Sequence, residues 1–388
     1  MRVEPMWESA AARPEAHRLA LRFTGSGSEY FRIWIVNLLL TLVTLSLYYP
    51  WAKVRRLRYF HGNTQVGGQP LDFHGNPWRM LRGYLLVGAM VGLYSVAGRV
   101  SPIAGLVAFV IVALLWPALL KSSLQFRLAN TSWRGLRFRF AGTVGGAYRA
   151  ILPLFVPGAL LVGVSAFGVA DPQHPPTWYL TFMGVVGGAM VLLTPWLTWN
   201  LKKYQHDHYA LGGQQTRLTA GAGSFYKLFL KMFGAVVLLM VVYGLVVGFG
   251  AASMRGRGPG AGALAVILIV TALWMVAVLL MQLSVRPYFM SRMQNLLWSN
   301  TASASLQFRS ALRFGPLFRL SLKNGLLIML TLGLYWPFAA VATARLRLES
   351  IEIDSAEDPE ALIQQLFAPE GEAAGDAAGD LFGIDIGL

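Results

Sequence analysis

Histidine and acidic side chains are the residues of this chain that could bind a metal ion or transfer protons. Their closest grouping is His206-Asp207-His208, which lies in a basic segment. Metal sites require further ligands at suitable spacing, and no cluster of carboxylates accompanies these two histidines. We interpret all three residues as polar side chains near a membrane interface, and we predict no metal and no cofactor.

Two further histidines, His61 and His74, flank the first long loop and could meet in space, an arrangement that is usually structural. The sequence contains no HExxH, P-loop or GxSxG motif. It has no cysteine, which excludes disulfides and thiol catalysis. We therefore expect a protein that is not an enzyme.

A different chemistry, the binding of anionic groups, is indicated where basic residues follow aromatic ones. The segment Asn37–Arg58 begins apolar, becomes aromatic around Pro50 and ends in basic residues, and 324–345 repeats it with 11 of 22 positions identical. Such residues are typical of the headgroup region of a membrane. The candidate lipid or partner contacts are Tyr48, Trp51, Lys53, Arg55, Arg56, Arg58, Tyr335, Trp336 and Arg345.

The composition predicts an integral membrane protein. Of 388 residues 55% are hydrophobic and only 13% charged, against about 25% charged in soluble domains. The mean hydropathy is +0.51. The net charge of +15 is spread over separate loops, so we expect no nucleic-acid binding.

Six central apolar segments are long enough, or nearly so, for about 20 residues of membrane crossing. The shortest must borrow from Met80–Gly83. They contain no Asp, Glu or Arg, and Lys231 lies near one entrance, which argues against proton-coupled transport. The segments are 84–98, 102–120, 151–170, 178–200, 228–251 and 261–285.

The loops between these segments alternate between short and long. The long ones, at 52–83, 121–149, 201–231 and 286–323, hold 23 Lys and Arg residues, whereas the short ones hold three. By the positive-inside rule all four long loops should be cytoplasmic.

The long loops resemble one another, which predicts internal repeats. Asn-Thr after an incoming helix is followed by an alternating segment, a glycine, an aromatic or bulky residue and a basic residue. Alternation is typical of strands, so we predict short β-hairpin inserts that pair into one cytoplasmic sheet. The N-terminal segment His17–Gly25 carries a further strand copy.

If all strand copies lie on one side, the apolar helices predicted at 33–51 and 320–342 start and end in the cytoplasm. The fold class is then a polytopic α-helical membrane protein with six full spans and two re-entrant or interfacial helices. Both termini would be cytoplasmic. The alternative is eight full spans. Glycine pairs such as Gly88 and Gly92 predict close packing within the bundle.

Three regions are predicted along the chain. Residues 1–18 form an irregular N-terminus, 19–353 the repeat-built membrane domain, and 354–388 an acidic tail without Lys or Arg. A short helix is predicted at Glu360–Phe367, and the remaining tail has the composition of disordered segments.

The segments NLLLTLVTLSLYYPWAKVRRLRYFHGNT, FTGSGSEYFRIWIVN and TLGLYWPF resemble the YjgN family of bacterial inner-membrane proteins. The similarity runs over roughly 19–353 and departs from the family at Ser46, where glycine is favoured. It implies a location in the bacterial inner membrane. The family has no known activity, so no substrate or site residue follows from it.

Two functions remain. The first is a non-enzymatic membrane module whose basic inserts bind anionic lipid headgroups or an acidic partner, since each basic residue near an anionic leaflet contributes about 1 kcal/mol. The alternative is a transporter or channel for a small or lipid-like molecule, with the two partial helices lining the path.

Overall fold

The computed structural model describes residues 17–168, 175–254, 261–356, 358, 360 and 361. Within them the chain forms a sheet of short strands from which helices project in pairs. The strands are β1 (His17–Phe23), β2 (Thr64–Val66), β3 (Gln69–Phe73), β4 (Thr131–Trp133), β5 (Leu136–Phe140), β6 (Tyr209–Leu211), β7 (Gln214–Gln215), β8 (Arg217–Leu218), β9 (Thr301–Ala302), β10 (Leu306–Ser310) and β11 (Ile351–Ser355).

These strands form one antiparallel, nearly closed barrel with the order β7-β6-β5-β4-β3-β2-β1-β11-β10-β9-β8. The two outermost strands, β7 and β8, are separated only by Thr216, so one short segment supplies both edges. Thr216 donates its backbone N–H to the carbonyl oxygen of Tyr209 at 2.8 Å. Closing a sheet in this way removes exposed strand edges.

Alternate residues of the strands fill the barrel. Leu19 lies opposite Ile353 and Leu21 opposite Val66. Leu19, Trp133, Leu211 and Ile353 belong to one buried cluster. Because side chains alternate across a strand, the residues between them face outward. These include Arg18 and Arg309, which pair with Asp354 at 3.8 and 2.6 Å.

The helices leave and rejoin the barrel at the same end. Each pair is preceded by one strand and followed by another, and neighbouring helices pack in a circuit that α11 closes against α1. The helices are α1 (Gly27–Val43), α2 (Tyr49–Gly62), α3 (Pro77–Val100), α4 (Pro102–Ala129), α5 (Val144–Ile151), α6 (Val156–Gly168), α7 (Thr177–His206), α8 (Ala222–Met254), α9 (Ala261–Trp298), α10 (Phe314–Leu330) and α11 (Trp336–Leu348).

In each unit an outgoing strand leads into a first, outgoing helix, and a last, incoming helix leads back into the barrel. The incoming helices share one pattern, and they are α2, α4, α7, α9 and α11. Each carries a buried proline 13 residues before the residue whose side chain bonds back to its last turn, which we call the cap residue. The cap side chain bonds a carbonyl of the last turn at 2.7–2.9 Å. The cap carbonyl in turn accepts a backbone N–H, at 2.8–2.9 Å, from the residue that directly follows an outgoing strand. The cap residues are Asn63, Asn130, His208, Asn300 and Ser350.

The outgoing helices share a buried position as well. Seven residues after each outgoing strand ends, a side chain is at most 2% exposed. This position locks helix and barrel together by close packing. Its occupants are Tyr30, Met80, Ala147, Phe225 and Leu317.

Four helices are long and apolar enough to cross a membrane, or five if the bent pair α5–α6 counts as one span, among the described residues. They are α3, α4, α7 and the part of α8 up to Gly248. The predicted 84–98 segment does borrow its preceding residues, because α3 begins at Pro77. The predicted 151–170 span is bent by 51°, where Pro153 and Pro157 remove backbone donors.

The helices predicted at 33–51 and 320–342 are wrong as single elements. α1 ends at Val43 and α2 begins only at Tyr49, and the same break separates α10 from α11. Leu45 and Ser46 have φ of 48° and 71°, which reverses the chain. Leu332 and Gly333 repeat this turn with φ of 50° and 94°.

Proline therefore starts α2 and α11 rather than ending the preceding helix. It suits a first helical turn, where no N–H is needed. Thr44 caps the turn by accepting the N–H of Tyr48 at 3.0 Å. The tips are exposed, with Leu45 at 87% and Leu332 at 95%.

The glycine pairs do not mediate the packing that their spacing predicts. A Cβ added at Gly88 or Gly92 would meet nothing within 4 Å, and the same holds for Gly184, Gly188, Gly244 and Gly248. At the chain ends, β1 takes in His17 and Arg18, and β11 takes in Asp354 and Ser355. Residues 1–16 and most of the predicted Glu360–Phe367 helix and tail lie outside the described residues.

Candidate functional site

The His206-Asp207-His208 segment forms structural hydrogen bonds. Asp207 accepts the N–H of Leu218 at 2.7 Å and pairs with Lys203 at 2.8 Å. His208 bonds the carbonyl of Tyr204 at 2.7 Å. His206 Nδ1 lies 3.0 Å from the hydroxyl of Thr301, which already donates to a carbonyl oxygen, so His206 is the donor.

The other predicted histidine pair uses different partners. His61 Nδ1 donates to the carbonyl of Leu57 at 2.8 Å, whereas His74 Nε2 bonds the hydroxyl of Ser132 at 2.8 Å. Burial lowers the pKa of His61 below its usual 6.5; the bond to Leu57 opposes this shift and the charge of Arg127 adds to it. No group of three or more metal-ligating side chains occurs in the part of the chain that the structure describes.

The predicted aromatic and basic residues lie on α2 and α11 or directly before them, and the structure brings the two sets together. Arg56 places its guanidinium 5.4 Å from the ring centre of Trp336. Trp336 also contacts Trp34 of α1, 6.1 Å between ring centres. A cation over an aromatic face is attracted by about 0.5–1 kcal/mol at exposed sites.

The aromatic residues at the start of each returning helix form local stacks. The ring centres of Tyr48 and Trp51 are 6.0 Å apart, and Trp51 lies edge-on to Trp78 at 4.9 Å. Tyr335 stacks on Phe338 at 5.4 Å. Arg55 lies 5.8 Å above the Tyr48 ring. This region therefore presents exposed arginine next to aromatic rings.

Two predicted contact residues donate to backbone carbonyls of the neighbouring unit. Arg58 donates to the carbonyl oxygen of Gly75 at 3.4 Å, and Arg345 donates to that of Gly25 at 2.8 Å. Both acceptors lie between an outgoing strand and its helix. Both arginines occupy the position five residues before the cap, so they tie neighbouring helix pairs together while remaining partly exposed.

Arg127, near the end of α4, acts electrostatically on groups of other helices. Its charge lowers the pKa of Lys53 of α2, of Lys202 of α7 and of His61, in each case after burial as the larger cause. It also interacts with Tyr209, whose pKa is raised by burial and lowered to a smaller extent by Arg127. We call Lys53, Arg127 and Lys202 the basic cluster.

Only Lys53 of the basic cluster is among the predicted contacts. A usable signal exists in the helix positions: Lys53, Arg127 and Lys202 stand ten, three and six residues before their caps. At 3.6 residues per turn these positions fall within about 60° of one another. The signal is recognisable only after the helices are aligned on their prolines.

An apolar cleft lies farther from the barrel, between α3, α4 and α6. It encloses about 480 Å³ and is lined by residues that include Tyr94, Pro102 and Leu161. Ser165, at its wall, bonds the hydroxyl of Tyr179 at 2.9 Å. The cleft offers shape for an apolar chain and few polar groups.

Comparison with known proteins gives one family and several relatives. Residues 18–381 match a family described as bacterial protein of unknown function (DUF898). An inner membrane protein YjgN of Salmonella typhimurium is 32% identical over 149 residues, which is 38% of either chain. YjgN of Escherichia coli K12 is 28% identical over 160 residues, 39% of this chain and 38% of its own.

The aligned part thus spans less than two fifths of these curated relatives. No solved structure matches the chain.

Proposed function

Because the chain belongs to the DUF898 family, that of the YjgN inner membrane proteins, we propose that it is a multi-pass inner-membrane module that binds anionic lipid headgroups. Binding would use the basic and aromatic residues at the barrel end of its helices. The proposed role is binding without catalysis. In its support, His61, His74, His206 and His208 each use one ring nitrogen in a structural hydrogen bond.

We propose six membrane crossings: α3, α4, the bent pair α5–α6, α7, α8 and α9. In the described residues four of these helices are long and apolar enough to cross a membrane, or five with the bent pair. The sixth crossing would be α9, which has 38 residues. Five related strand–helix–helix–strand units then build the domain, with hairpin strands on the cytoplasmic side where the basic loops lie.

The units α1–α2 and α10–α11 would be re-entrant hairpins. From Ile33 to Val43, α1 extends about 16 Å, roughly half of a 30 Å hydrocarbon core. Its exposed apolar tip and the equivalent tip at Leu332 suit lipid rather than water.

The observation that carries lipid binding is the placement of Arg56 over Trp336. It joins the two re-entrant hairpins into one basic and aromatic surface, to which Arg55 and Tyr48 contribute. Guanidinium groups bind phosphate oxygens with paired donors, while aromatic rings favour the headgroup region. An anionic phospholipid matches both features.

Retention of phosphatidylglycerol by the purified protein, measured by native mass spectrometry, tests this surface. We expect the double variant Arg55→Gln/Arg56→Gln to retain several-fold less lipid. The control Arg137→Gln/Arg139→Gln removes the same charge from β5 of the barrel. Equal retention by the wild type and the α2 variant would refute the proposal.

The topology has a separate test, because the chain contains no cysteine. Single cysteines at Ser303, Ser101 and Leu45 should be labelled by a membrane-impermeant maleimide from the cytoplasm, from the periplasm and from neither side. Labelling of Leu45→Cys from the periplasm would favour the alternative of eight full spans.

Transport of a lipid-like molecule is the second candidate function. It is favoured by the adjacency of the two short hairpins, since α1 packs against α11. In the proposed topology neither hairpin enters the periplasmic half of the membrane, so the circuit of helices has a gap there. Translocation of a fluorescent phospholipid in proteoliposomes tests this candidate, and a rate equal to that of protein-free vesicles would exclude it.

A further inference from the structure

We propose that the acidic segment 357–388 of this chain binds to the outer wall of the barrel and covers four arginines there. The surface is the outward side of β8, β9, β10, β11 and β1, and we call it the arginine face. It shares no residue with the Arg55–Arg56 surface, and the proposal does not depend on lipid binding. The four arginines are Arg18, Arg22, Arg217 and Arg309.

The register of the strands places these arginines on one side of the sheet. Five residues form a row in which each lies opposite the next, in the order Arg217, Ala302, Gln307, Asp354, Arg18. Paired residues project from the same face, and the row is about 19 Å wide at roughly 4.8 Å per strand. Arg309 and Arg22 stand two and four residues along their strands from this row. They share its face because alternate side chains of a strand point the same way.

Two of the arginines meet at a buried carboxylate. Asp354 is 6% exposed and lies 2.6 Å from Nε of Arg309 and 3.8 Å from Nε of Arg18, whereas these arginines are 59% and 70% exposed. Two guanidinium groups have about ten N–H donors, and a carboxylate offers about four acceptor sites. This pair can therefore bind a further anion from the solvent side.

The arginine face carries a surplus of positive charge. Its five strands contain four arginines but only two carboxylates, Glu352 and Asp354. Arg22 and Arg217 are exposed, and the ion pairs between described residues involve other cations. A surface with one sign of charge attracts segments of the opposite sign.

The segment that follows β11 has the complementary charge and starts beside this face. β11 ends at Ser355, which lies opposite His17 of β1. Residues 357–388 contain eight carboxylates and no Lys or Arg. The carboxylates are Glu357, Asp358, Glu360, Glu370, Glu372, Asp376, Asp380 and Asp385.

Attachment to β11 favours this segment over a separate partner. Each exposed ion pair contributes little by itself, but a short flexible tether holds the segment at an effective concentration in the millimolar range. An extended chain spans about 3.3 Å per residue. Glu372, which is 17 residues beyond Ser355, can therefore reach every arginine of a face about 19 Å wide.

A distance measurement between two spin labels by pulsed electron resonance tests the binding. The labels are attached to the full chain in detergent as the double variant Ala20→Cys/Ala374→Cys, since the chain has no cysteine. Ala20 is exposed between Arg18 and Arg22, and Ala374 lies among the carboxylates of the segment. We expect a short distance between the labels at low ionic strength. It should be lost near 1 M salt, where the Debye length falls to about 3 Å.

Neutralising part of the arginine face should release the segment. In the labelled chain, Arg22→Gln/Arg217→Gln should lower the fraction of molecules with the short distance several-fold. These two arginines are chosen because the ion pairs of Asp354 are with Arg18 and Arg309, so the buried carboxylate keeps its partners.

The matched control is Arg137→Gln/Arg139→Gln. It removes the same charge from β5, which β2, β3 and β4 separate from β1, and it should keep the short distance. A second variant, Glu370→Gln/Glu372→Gln/Asp376→Asn, leaves the barrel unchanged. It should release the segment as Arg22→Gln/Arg217→Gln does, which guards against a folding defect of the barrel variant.

A mixture of chains that carry only Ala20→Cys or only Ala374→Cys identifies the occupant. We expect no short distance in this mixture. A short distance there would assign the face to the segment of a second copy and overturn binding within one chain. A long, broad distribution in the double-labelled chain, or an unchanged short distance in Arg22→Gln/Arg217→Gln, would also overturn the proposal.

Discussion

Arg345 donates a hydrogen bond from Nη2 to the carbonyl oxygen of Gly25, 2.8 Å away. This bond joins α11 to the loop between β1 and α1. Arg58 makes the corresponding bond to Gly75, and Asn295 bonds the carbonyl of Leu312 at 3.0 Å. One position five residues before the cap thus connects three pairs of neighbouring units, and in one of them it closes the circuit.

Replacing Arg345 by glutamine should lower the free energy of unfolding by about 1 kcal/mol. A hydrogen bond from a charged donor contributes somewhat more than this when buried, and Arg345 is partly exposed. Denaturant unfolding in micelles measures the change. Arg319→Gln, at an exposed arginine of α10, should stay within about 0.5 kcal/mol of the wild type. Equal effects of the two variants would contradict the proposal that the Arg345 bond stabilises closure of the helix circuit.

In the turns after α1 and α10, we predict that exchanging serine for glycine and glycine for serine have opposite effects on stability. Ser46 has φ of 71° and Gly333 has φ of 94° at equivalent positions. Serine in this left-handed region is strained by about 1 kcal/mol relative to glycine. Ser46→Gly should therefore raise stability and Gly333→Ser should lower it, both measured by thermal unfolding.

Gly325→Ser provides the control for the tip experiment. Gly325 lies inside α10, and a Cβ there would meet nothing within 4 Å. Serine has the better helix propensity, so this variant should be neutral or slightly stabilising. A loss of stability at Gly325 as large as that at Gly333 would contradict the backbone argument.

Phe225 and Phe233 of α8 allow a buried side chain at the barrel junction to be compared with an exposed one on the same helix. Phe225 is 0% exposed and packs against Leu218, Met293 and Leu297. Phe225→Ala should cost about 3–5 kcal/mol, because it removes buried surface and leaves a cavity. Phe233 is 53% exposed, so Phe233→Ala should cost far less. Similar unfolding curves for both would refute this assignment.

His61 predicts a loss of stability on acidification. Burial lowers its folded pKa below the usual 6.5, so between the two values the unfolded chain binds more protons than the folded one. Stability is then complete above pH 6.5 and falls as the pH drops toward the lowered value. His61→Gln should flatten this part of the pH profile of thermal unfolding. An unchanged slope in His61→Gln would contradict this prediction.

Local features of the fold were predictable from the sequence. The alternation in His17–Gly25 predicts β1, and the proline and Asn-Thr spacing predicts related helix ends, because both signals lie within one element. The break after Val43 was not predictable in this way. Thr44, Leu45 and Ser46 continue an apolar run, and serine is an uncommon residue at positive φ.

Long-range pairing explains most of what the sequence conceals. β1 pairs with β11 across the length of the domain, and no local pattern identifies that partner. Similarly, Arg58 reads as a free basic residue until Gly75 is placed beside it. Arg127 and Lys202 are ordinary loop cations in the sequence, and no local pattern shows that the charge of Arg127 lowers the pKa of Lys202.

The barrel closure also sets an order of assembly. β1 bonds β2 at one edge and β11 at the other. The ribosome makes β2 shortly after β1, but β11 follows more than 300 residues later. At 5–20 residues per second this is a delay of roughly 15–65 s. During that interval the second edge of β1 is unpaired on the nascent chain, so completion of the barrel is a post-insertion step.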